Sequence, residues 1–330
     1  MSSRQYTCIF AQVHSGSVLP LIARGLLRTP ARIAPAIAQA FSAVHFDLSF
    51  LLVEPAHNAV VSSLVDLLKI DGLRESGCAI FEALATQSSD PAATKRLLLA
   101  LCDLFSKKGV SPPHQRLTHA CALAAVVRCK PAGVVKHAAE IAPIIGAASS
   151  RENNDDVLAA MLALCVETSS YAASFEENSS KAVKAAMLHV SATVRQSLWR
   201  ALLESSEKSS ATFLAPLIPH FQAAIESAVT KPAFRGDGAA ALAVVSNLSV
   251  SESAAAASIK AISGQVVKRS GFLADLLENF PSIYEVEAAA QASESLLLKN
   301  TSGVDVSVCM TTLLQVSHVN LLSYAFLTLV

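Results

Sequence analysis

The chain has 330 residues, of which 52% are hydrophobic but only 5% aromatic, and its 26 basic residues balance its 26 acidic residues. So large an apolar fraction excludes an intrinsically disordered chain, and the balance of charge excludes a global attraction to nucleic acid or to a membrane surface. Abundant Ala, Leu and Val with few aromatic residues favour stacked helices over a β-sandwich, because Ala and Leu are strong helix formers.

The beginning of the chain and its cysteines bear on the cellular compartment. The first sixteen residues lack the apolar run of a signal peptide and are predicted to form an irregular N-terminal segment, 1–16. Seven scattered cysteines without a CxxC spacing are typical of free thiols that serve as small buried apolar groups. We therefore expect a reducing compartment and a cytoplasmic location.

Helical periodicity predicts a nearly continuous series of helices with short breaks between them. Two breaks carry clear signals of a helix start, Asp90 followed by Pro91 and Ser111 followed by two prolines. Strict apolar and polar alternation with hairpin turns is absent from the sequence, so no sheet is predicted. The predicted helices span residues 17–27, 30–46, 55–69, 71–86, 91–107, 112–129, 131–148, 154–167, 174–189, 191–205, 212–229, 237–249, 253–269, 272–279 and 284–299.

One helix opening recurs about every forty residues, with a polar capping residue, then an aliphatic residue and Arg, then apolar residues at helical spacing. This is the HEAT pattern, and it predicts an all-α fold, an α-α superhelix (HEAT/armadillo-type solenoid) of about seven helix pairs over residues 17–299. The arginine is expected to reach an acid or a carbonyl of a neighbouring repeat while its stem covers apolar surface. The openings lie near Arg74, Arg116, Asp156, Arg195 and Arg235.

The sequence carries none of the motifs that mark common enzymes. It has no GxGxxG, no GxxxxGK[ST] and no GxSxG. His114 and His119 lie five residues apart on one helix, which places them off a common face, whereas a metal site prefers a spacing of four. We therefore predict no enzyme, no catalytic residues, no metal, no cofactor and no small-molecule substrate.

Four further features are interpreted as structural. The acids Asp155 and Asp156, with Glu152 before them, are expected to face the dipole at a helix N-terminus, and Glu176-Glu177 are interpreted in the same way. Arg235-Gly236-Asp237 spells an adhesion tripeptide, which we interpret as a coincidence. Trp199 is predicted to lie in the core between repeats.

The last residues differ from the rest of the chain. From Val306 to Val330 there is no Asp, Glu, Lys or Arg. A buried final helix of a truncated repeat, a tail foreign to the family and a membrane anchor are the three interpretations of residues 300–330. Because a solenoid needs a polar terminal repeat, we favour a truncated repeat or non-family sequence, expect the chain to be a piece of a longer protein, and do not expect membrane contact.

Short matches in the right order, from about Ser15 to Lys299, resemble the N-terminal HEAT region of the general-control translational activator family. The matching segments are Leu26–Pro30, Phe46–Ser49, Ala83–Asp90, Leu217–Pro219 and Gly238–Ser249. Beyond Asn300 the resemblance ends.

The resemblance implies a non-catalytic scaffold that associates with the ribosome and promotes activation of the initiation-factor-two-alpha kinase during amino-acid starvation. Its partners would be the ribosome and other proteins. Contact with the kinase and its cofactor proteins is expected through regions outside this chain. The alternative is a generic HEAT adaptor, like a transport receptor or a microtubule regulator. The sequence does not identify the residues that bind partners.

Overall fold

Two compact units, residues 1–179 and 180–330, make up the chain in the computed structural model. The predicted division into segments 1–16, 17–299 and 300–330 has its boundaries outside the described part of the chain and stays a prediction. The structure describes residues 39, 49–52, 61, 64–66, 68, 70, 73–106, 111–129, 131–208, 211–248, 282–298, 310 and 313–314.

The first unit is built from helices joined by short connections. A 3₁₀ turn at Ser49–Leu52 is followed by the longer elements. The α-helices are α1 (Arg74–Gln87), α2 (Pro91–Ser106), α3 (Pro113–Cys129), α4 (Pro131–Lys136), α5 (Ala138–Arg151), α6 (Asp155–Ser169) and α7 (Ala173–Ala186), the last of which crosses the boundary between the units.

The second unit continues with the same element type. Within the described residues its α-helices are α8 (Ala192–Lys208), α9 (Ile218–Thr230), α10 (Arg235–Leu248) and α11 (Ile283–Leu298). Two 3₁₀ segments, Ala211–Leu217 and Pro232–Phe234, precede α9 and α10.

Several helices begin where local sequence chemistry satisfies their free backbone N–H groups. At α2, Asp90 Oδ1 accepts a hydrogen bond from the N–H of Ala92 at 2.9 Å. At α6, the Asn154 side chain accepts from the N–H of Val157 at 3.2 Å. At α11, Ser282 and Glu285 form a reciprocal capping box, which is the expected pairing of a Ser with an acid three residues later.

Three local predictions differ from the structure. Helix α1 begins at Arg74 rather than at residue 71, with Leu73 in the N-cap position and no side-chain cap. The predicted capping residue, Asp71, lies outside the described residues, so its role stays a prediction. The predicted helix 131–148 is two helices separated at His137, whose φ of −112° and ψ of 16° leave the helical region. The predicted helix 212–229 opens instead as a 3₁₀ segment that contains Pro216.

Helices one repeat apart pack side by side. In the first unit α3 packs between α1 and α6, and α2 packs against α5; in the second unit α10 packs against α8, α9 and α11. Helix α10 is rich in Ala and Gly, and all of its residues except Arg235 and Asn247 are buried. Small side chains let helices approach this closely. At Gly146 in α5 the approach is tightest, because an added Cβ would overlap the backbone carbonyl of Asn178.

The predicted fold class, an all-α α-α superhelix of HEAT/armadillo type, is confirmed. Strands are absent from the described residues. The second helices of successive pairs begin at Arg74, Pro113, Asp155, Ala192 and Arg235, which are 37 to 43 residues apart. Each of the five predicted openings falls in the first turn of one of these helices. The number of pairs, about seven, stays a prediction because the predicted helices at 17–27, 30–46, 253–269 and 272–279 lie almost entirely outside the described residues.

Candidate interaction site: the inter-repeat arginines

Arg116, in the first turn of α3, reaches forward into the next repeat. Its Nε and Nη2 atoms donate to the two carboxylate oxygens of Glu152, each at 2.8 Å, and Nη1 donates to the carbonyl of Ser111. Glu152 Oε1 also accepts from the backbone N–H groups of Asn153 and Asn154, at 3.0 and 2.9 Å. The Arg116 site therefore joins the start of one second helix to the turn that precedes the next.

Arg195 makes the equivalent connection in the second unit. Its Nε donates to Asp237 Oδ2 at 2.6 Å, across 42 residues of sequence. Its Nη1 donates to the carbonyls of His189 and Val190, at 2.6 and 3.0 Å, and its Nη2 donates to the carbonyl of Ala233 at 3.0 Å. All three guanidinium nitrogens thus donate hydrogen bonds, as a buried arginine requires.

The Arg195 site extends beyond this ion pair. The guanidinium lies 4.4 Å from the centre of the Phe234 ring, a cation–π distance. Tyr284 of α11 donates from Oη to Asp237 Oδ1 at 3.3 Å, which adds a third repeat to the network. Gly236 is required here, because a Cβ would lie 2.8 Å from Cε1 of Tyr284.

The two sites differ in depth and therefore in electrostatics. The side chains of Arg116 and Glu152 are 27% and 10% exposed, whereas those of Arg195 and Asp237 are 4% and 3% exposed. Burial opposes ionisation of Glu152, but hydrogen bonds from Arg116 and from the backbone outweigh it, so the pKa of Glu152 lies below its ordinary value. Burial raises the pKa of Asp237 above its ordinary value, even though Arg195 and Tyr284 both donate to it.

Other polar bonds also connect residues about one repeat apart. Pairs 39 to 45 residues apart recur in both units. They are Asp90 N–H to Ser49 Oγ, Lys95 to Glu140, Arg128 to Glu167, and Asn247 to Ser206. The prediction that the arginine of the repeat reaches a neighbouring repeat's acid or carbonyl is confirmed at Arg116 and Arg195.

Sequence reasoning missed the partners of both arginines. It assigns Glu152 to the helix dipole and Asp237 to a chance tripeptide. The structure instead pairs each with an arginine 36 or 42 residues earlier. A partial signal was available: a search for acids one repeat after each arginine finds Asp237, although after Arg116 it finds Asp155 and Asp156 rather than Glu152.

The tripeptide Arg235-Gly236-Asp237 opens helix α10 and is not presented as an adhesion loop. The Asp237 carboxylate is buried and bonded to Arg195 and Tyr284, and Gly236 is buried. A receptor could not reach this carboxylate without disrupting the helix. The interpretation as a coincidence is therefore supported by the geometry.

Three of the five acids assigned to helix N-termini behave as predicted, and so does the tryptophan; the exceptions are Glu152, which pairs with Arg116, and Glu177, which follows the first turn of α7. Asp155 and Asp156 occupy the first turn of α6, where negative charge faces the positive end of the helix dipole. Glu176 lies in the first turn of α7. Trp199 is fully buried, with its ring centre 5.8 Å from that of Phe221 in α9.

Histidines and cysteines in the described residues show no arrangement typical of catalysis. His114 is exposed at the start of α3 while His119 is buried against Phe105, with ring centres 6.3 Å apart. Within the same part of the chain no group of three or more His, Cys, Asp or Glu side chains could hold a metal ion. Burial raises the pKa of Cys78 and Cys102 to about 12 and that of Cys165 to about 11, so these thiols are weak nucleophiles. Whether the chain is an enzyme stays a prediction.

Of the apolar C-terminal segment, only residues 310 and 313–314 are described, so the interpretations of residues 300–330 fall outside the structure. Among the described helices, none combines the length and the apolar character that crossing a bilayer requires.

Comparison with known proteins identifies one family. Residues 7–110 match the family model described as "Stalled ribosome sensor GCN1 N-terminal". No curated protein matches the chain.

Similar solved structures include engineered proteins. One engineered protein is 14% identical and superposes with a TM-score of 0.45, and the match covers 72% of this chain and 97% of that protein. A second is 16% identical with a TM-score of 0.46, and the match covers 72% of this chain and 98% of that protein. A designed armadillo repeat protein is 13% identical, covers 84% of this chain and 99% of its own, with a TM-score of 0.33. The assignment of the fold rests on the helices and their spacing rather than on these superpositions.

The resemblance stated from the sequence is thereby confirmed for the first third of the chain, while its extension from residue 111 to Lys299 stays a prediction. Residues 7–110 are similar to the N-terminal region of the stalled ribosome sensor GCN1, as the description of the matching family model has it.

Proposed function

We propose that the chain is a non-catalytic HEAT-repeat scaffold of a ribosome-associated translational regulator, which acts in the cytoplasm and promotes activation of the initiation-factor-two-alpha kinase during amino-acid starvation. The observation that carries the proposal is the family match over residues 7–110, whose description names a stalled ribosome sensor. The repeat fold supports the scaffold role, because stacked repeats present an extended surface for partners.

The inter-repeat arginines support a scaffold that keeps its shape when it binds. Arg116 and Arg195 each fix the turn before their own helix and a group in the following repeat. Turns held in this way lose little conformational freedom on binding, which preserves affinity. The kinase and its cofactor proteins would be contacted by regions outside this chain.

Ribosome association is tested by cosedimentation of the purified chain with polysomes. We expect the chain to sediment with polysomes at about 0.1 M salt and to be released as salt screens charged contacts. Cosedimentation of the chain with microtubules or nuclear-transport cargo, without polysomes, would favour a generic HEAT adaptor.

The link to the kinase is tested in starved cells. The chain, produced in excess, should compete with the full regulator for ribosomes and lower phosphorylation of initiation factor two-alpha. Unchanged phosphorylation, in cells where the chain does occupy polysomes, would contradict the starvation role while leaving ribosome binding intact.

A further inference from the structure

Two turns of consecutive repeats lie beside each other in the second unit because one guanidinium holds both. The turn at residues 187–191 joins α7 to α8, and the turn at residues 231–234 joins α9 to α10. Arg195 donates to His189 and Val190 in the first turn and to Ala233 in the second. Because one planar guanidinium donates to carbonyls of both turns, the two turns are adjacent. We name these two turns, with Arg235, the turn edge.

The turn edge exposes apolar side chains that the fold leaves uncovered. Val190 is 92% exposed and Leu188 is 47% exposed. A single exposed apolar residue on a surface is ordinary, but these two are separated only by His189, on a turn whose backbone is fixed. The first turn is also held by the N–H of Ser191, which donates to His189 Nδ1 at 3.2 Å.

The charged groups of the turn edge are basic. Lys231 is exposed, with its ammonium 5.7 Å from the centre of the Phe234 ring, and Arg235 is half-exposed at the start of α10. The carboxylate of Asp237 is buried, where its two oxygens accept hydrogen bonds from Arg195 and Tyr284. Glu285, which lies against Gly236, is bonded to Ser282. The surface therefore combines two apolar side chains with two cationic ones.

We propose that the turn edge is a docking site for an acidic protein segment that carries apolar side chains. This inference rests on the proposed scaffold function and specifies the chemistry of one partner. Acidic side chains of the segment would pair with Lys231 and Arg235, and an apolar side chain would cover Val190 and Leu188. Because the turns are already ordered, the cost of binding falls mainly on the segment.

The same observations disfavour RNA as the occupant. Sequence-independent RNA binding uses a basic groove with aromatic side chains that stack on bases. Here the ring of Phe234 already has two cations beside it, Arg195 at 4.4 Å and Lys231 at 5.7 Å, and the exposed apolar groups are aliphatic. Aliphatic side chains beside two cations fit apolar and acidic amino-acid side chains better.

The test is fluorescence anisotropy with the full chain and three labelled probes. The first probe is a short peptide rich in Asp and Glu with Leu and Phe, the second is the same peptide with Lys at every acidic position, and the third is single-stranded poly(U). We expect the acidic peptide to bind with a dissociation constant below about 1 mM at about 0.1 M salt, and to bind more weakly as salt rises. The lysine peptide and poly(U) should bind at least about tenfold more weakly.

Matched variants assign the binding to the turn edge. Val190→Asp and Lys231→Glu should each weaken binding of the acidic peptide about tenfold. The controls are Val135→Asp and Lys136→Glu, which make the same changes at exposed positions of α4 and should leave binding unchanged. Circular dichroism establishes that all four variants keep the wild-type helical content, as the exposure of these side chains leads us to expect.

Three results would overturn the proposal: no binding of the acidic peptide, preferential binding of poly(U), or equal losses in the turn-edge and α4 variants. Each of these results can be distinguished from a failure of the proposed function, because polysome cosedimentation of the wild-type chain is measured independently. A chain that binds polysomes but not the acidic peptide refutes the docking site alone.

Discussion

Arg116 and Arg195 occupy equivalent positions in their repeats and each reaches an acidic residue of the next repeat, yet Arg116 does so at the edge of solvent and Arg195 in the interior. At the shallow site, hydrogen bonds outweigh burial and the pKa of Glu152 is lowered. At the deep site, burial outweighs hydrogen bonds and the pKa of Asp237 is raised. The same repeat motif therefore occurs with an acid whose pKa is lowered and with an acid whose pKa is raised, and the burial of the ion pair decides the direction.

The largest expected effect is the loss of the buried acid. Asp237→Ala removes both oxygens that accept from Arg195 and Tyr284, leaves Arg195 buried without a partner, and should lower the free energy of unfolding by about 3–5 kcal/mol. Glu152→Ala should cost only about 1–2 kcal/mol, because water can reach Arg116. Urea unfolding measures both, followed by helical circular dichroism and, for the second unit, by the fluorescence of Trp199, the only tryptophan.

Equal losses at the two sites would contradict the role assigned to depth. If Asp237→Ala does not fold, the double variant Arg195→Met with Asp237→Leu provides a second measurement. Removing both charges from the interior should restore much of the stability, since a buried pair is often replaceable by apolar residues.

A smaller effect is expected from the tyrosine that supports the deep site. Tyr284→Phe removes the 3.3 Å hydrogen bond to Asp237 and should cost about 0.5–1.5 kcal/mol. The matched control is Tyr171→Phe, which removes a longer bond of 3.4 Å to Glu167 at a less buried position. Urea unfolding should show a larger loss of unfolding free energy for Tyr284→Phe than for Tyr171→Phe. The reverse order would contradict the idea that burial strengthens the hydrogen bond.

The two acids should respond to pH in opposite directions. Because the folded-state pKa of Glu152 is lowered from 4.5, its stabilisation is present above that value and is lost as pH falls through the folded-state pKa. Because the folded-state pKa of Asp237 is raised from 3.8, its contribution to stability decreases as pH rises from that value through the folded-state pKa.

Urea unfolding at a series of acidic pH values, on the wild type, Glu152→Ala and Asp237→Ala, separates the two contributions. The stability difference between the wild type and Glu152→Ala should shrink on acidification. The difference between the wild type and Asp237→Ala should not shrink over the same range. Parallel behaviour of the two differences would contradict the opposite pKa shifts.

The smallest effect is expected at an exposed inter-repeat pair. Lys95 and Glu140 meet at 2.8 Å with side chains that are 39% and 48% exposed. Lys95→Ala should change the free energy of unfolding by less than about 0.5 kcal/mol, because solvent screens exposed pairs. A thermal or urea transition that moves as far as that of Glu152→Ala would show that inter-repeat spacing, rather than burial, determines the strength of these bonds.

Much of the fold could be predicted from the sequence because the repeat imposes a strong local pattern. Asp90-Pro91 marks the start of α2, and the openings near Arg195 and Arg235 fall in the first turns of α8 and α10. The break at His137 could not be predicted, since its neighbours keep helical periodicity across it. Proline at 216 was visible, but its consequence, a 3₁₀ segment rather than a shorter helix, depends on packing.

The sites were harder to predict than the helices. A polar residue's partner lies about forty residues away, and the periodicity of one helix does not reveal it. From local sequence alone, Glu152 was assigned to a helix dipole and Asp237 to a chance motif, and neither assignment involves an arginine. Only the folded chain brings each acid beside its arginine. The turn edge could not be predicted at all, because the exposure of Val190 is a property of the folded turn.

The bond from Arg195 to Asp237 also limits where the chain can be divided. A shortened chain that ends between α8 and α9 keeps the arginine but removes its acid and the Ala233 carbonyl, so a cationic group is left in what was the interior. A fragment that starts at α9 keeps the acid without its cation. Deletion or duplication of repeats is therefore best tolerated in blocks that keep each arginine together with the repeat that follows it.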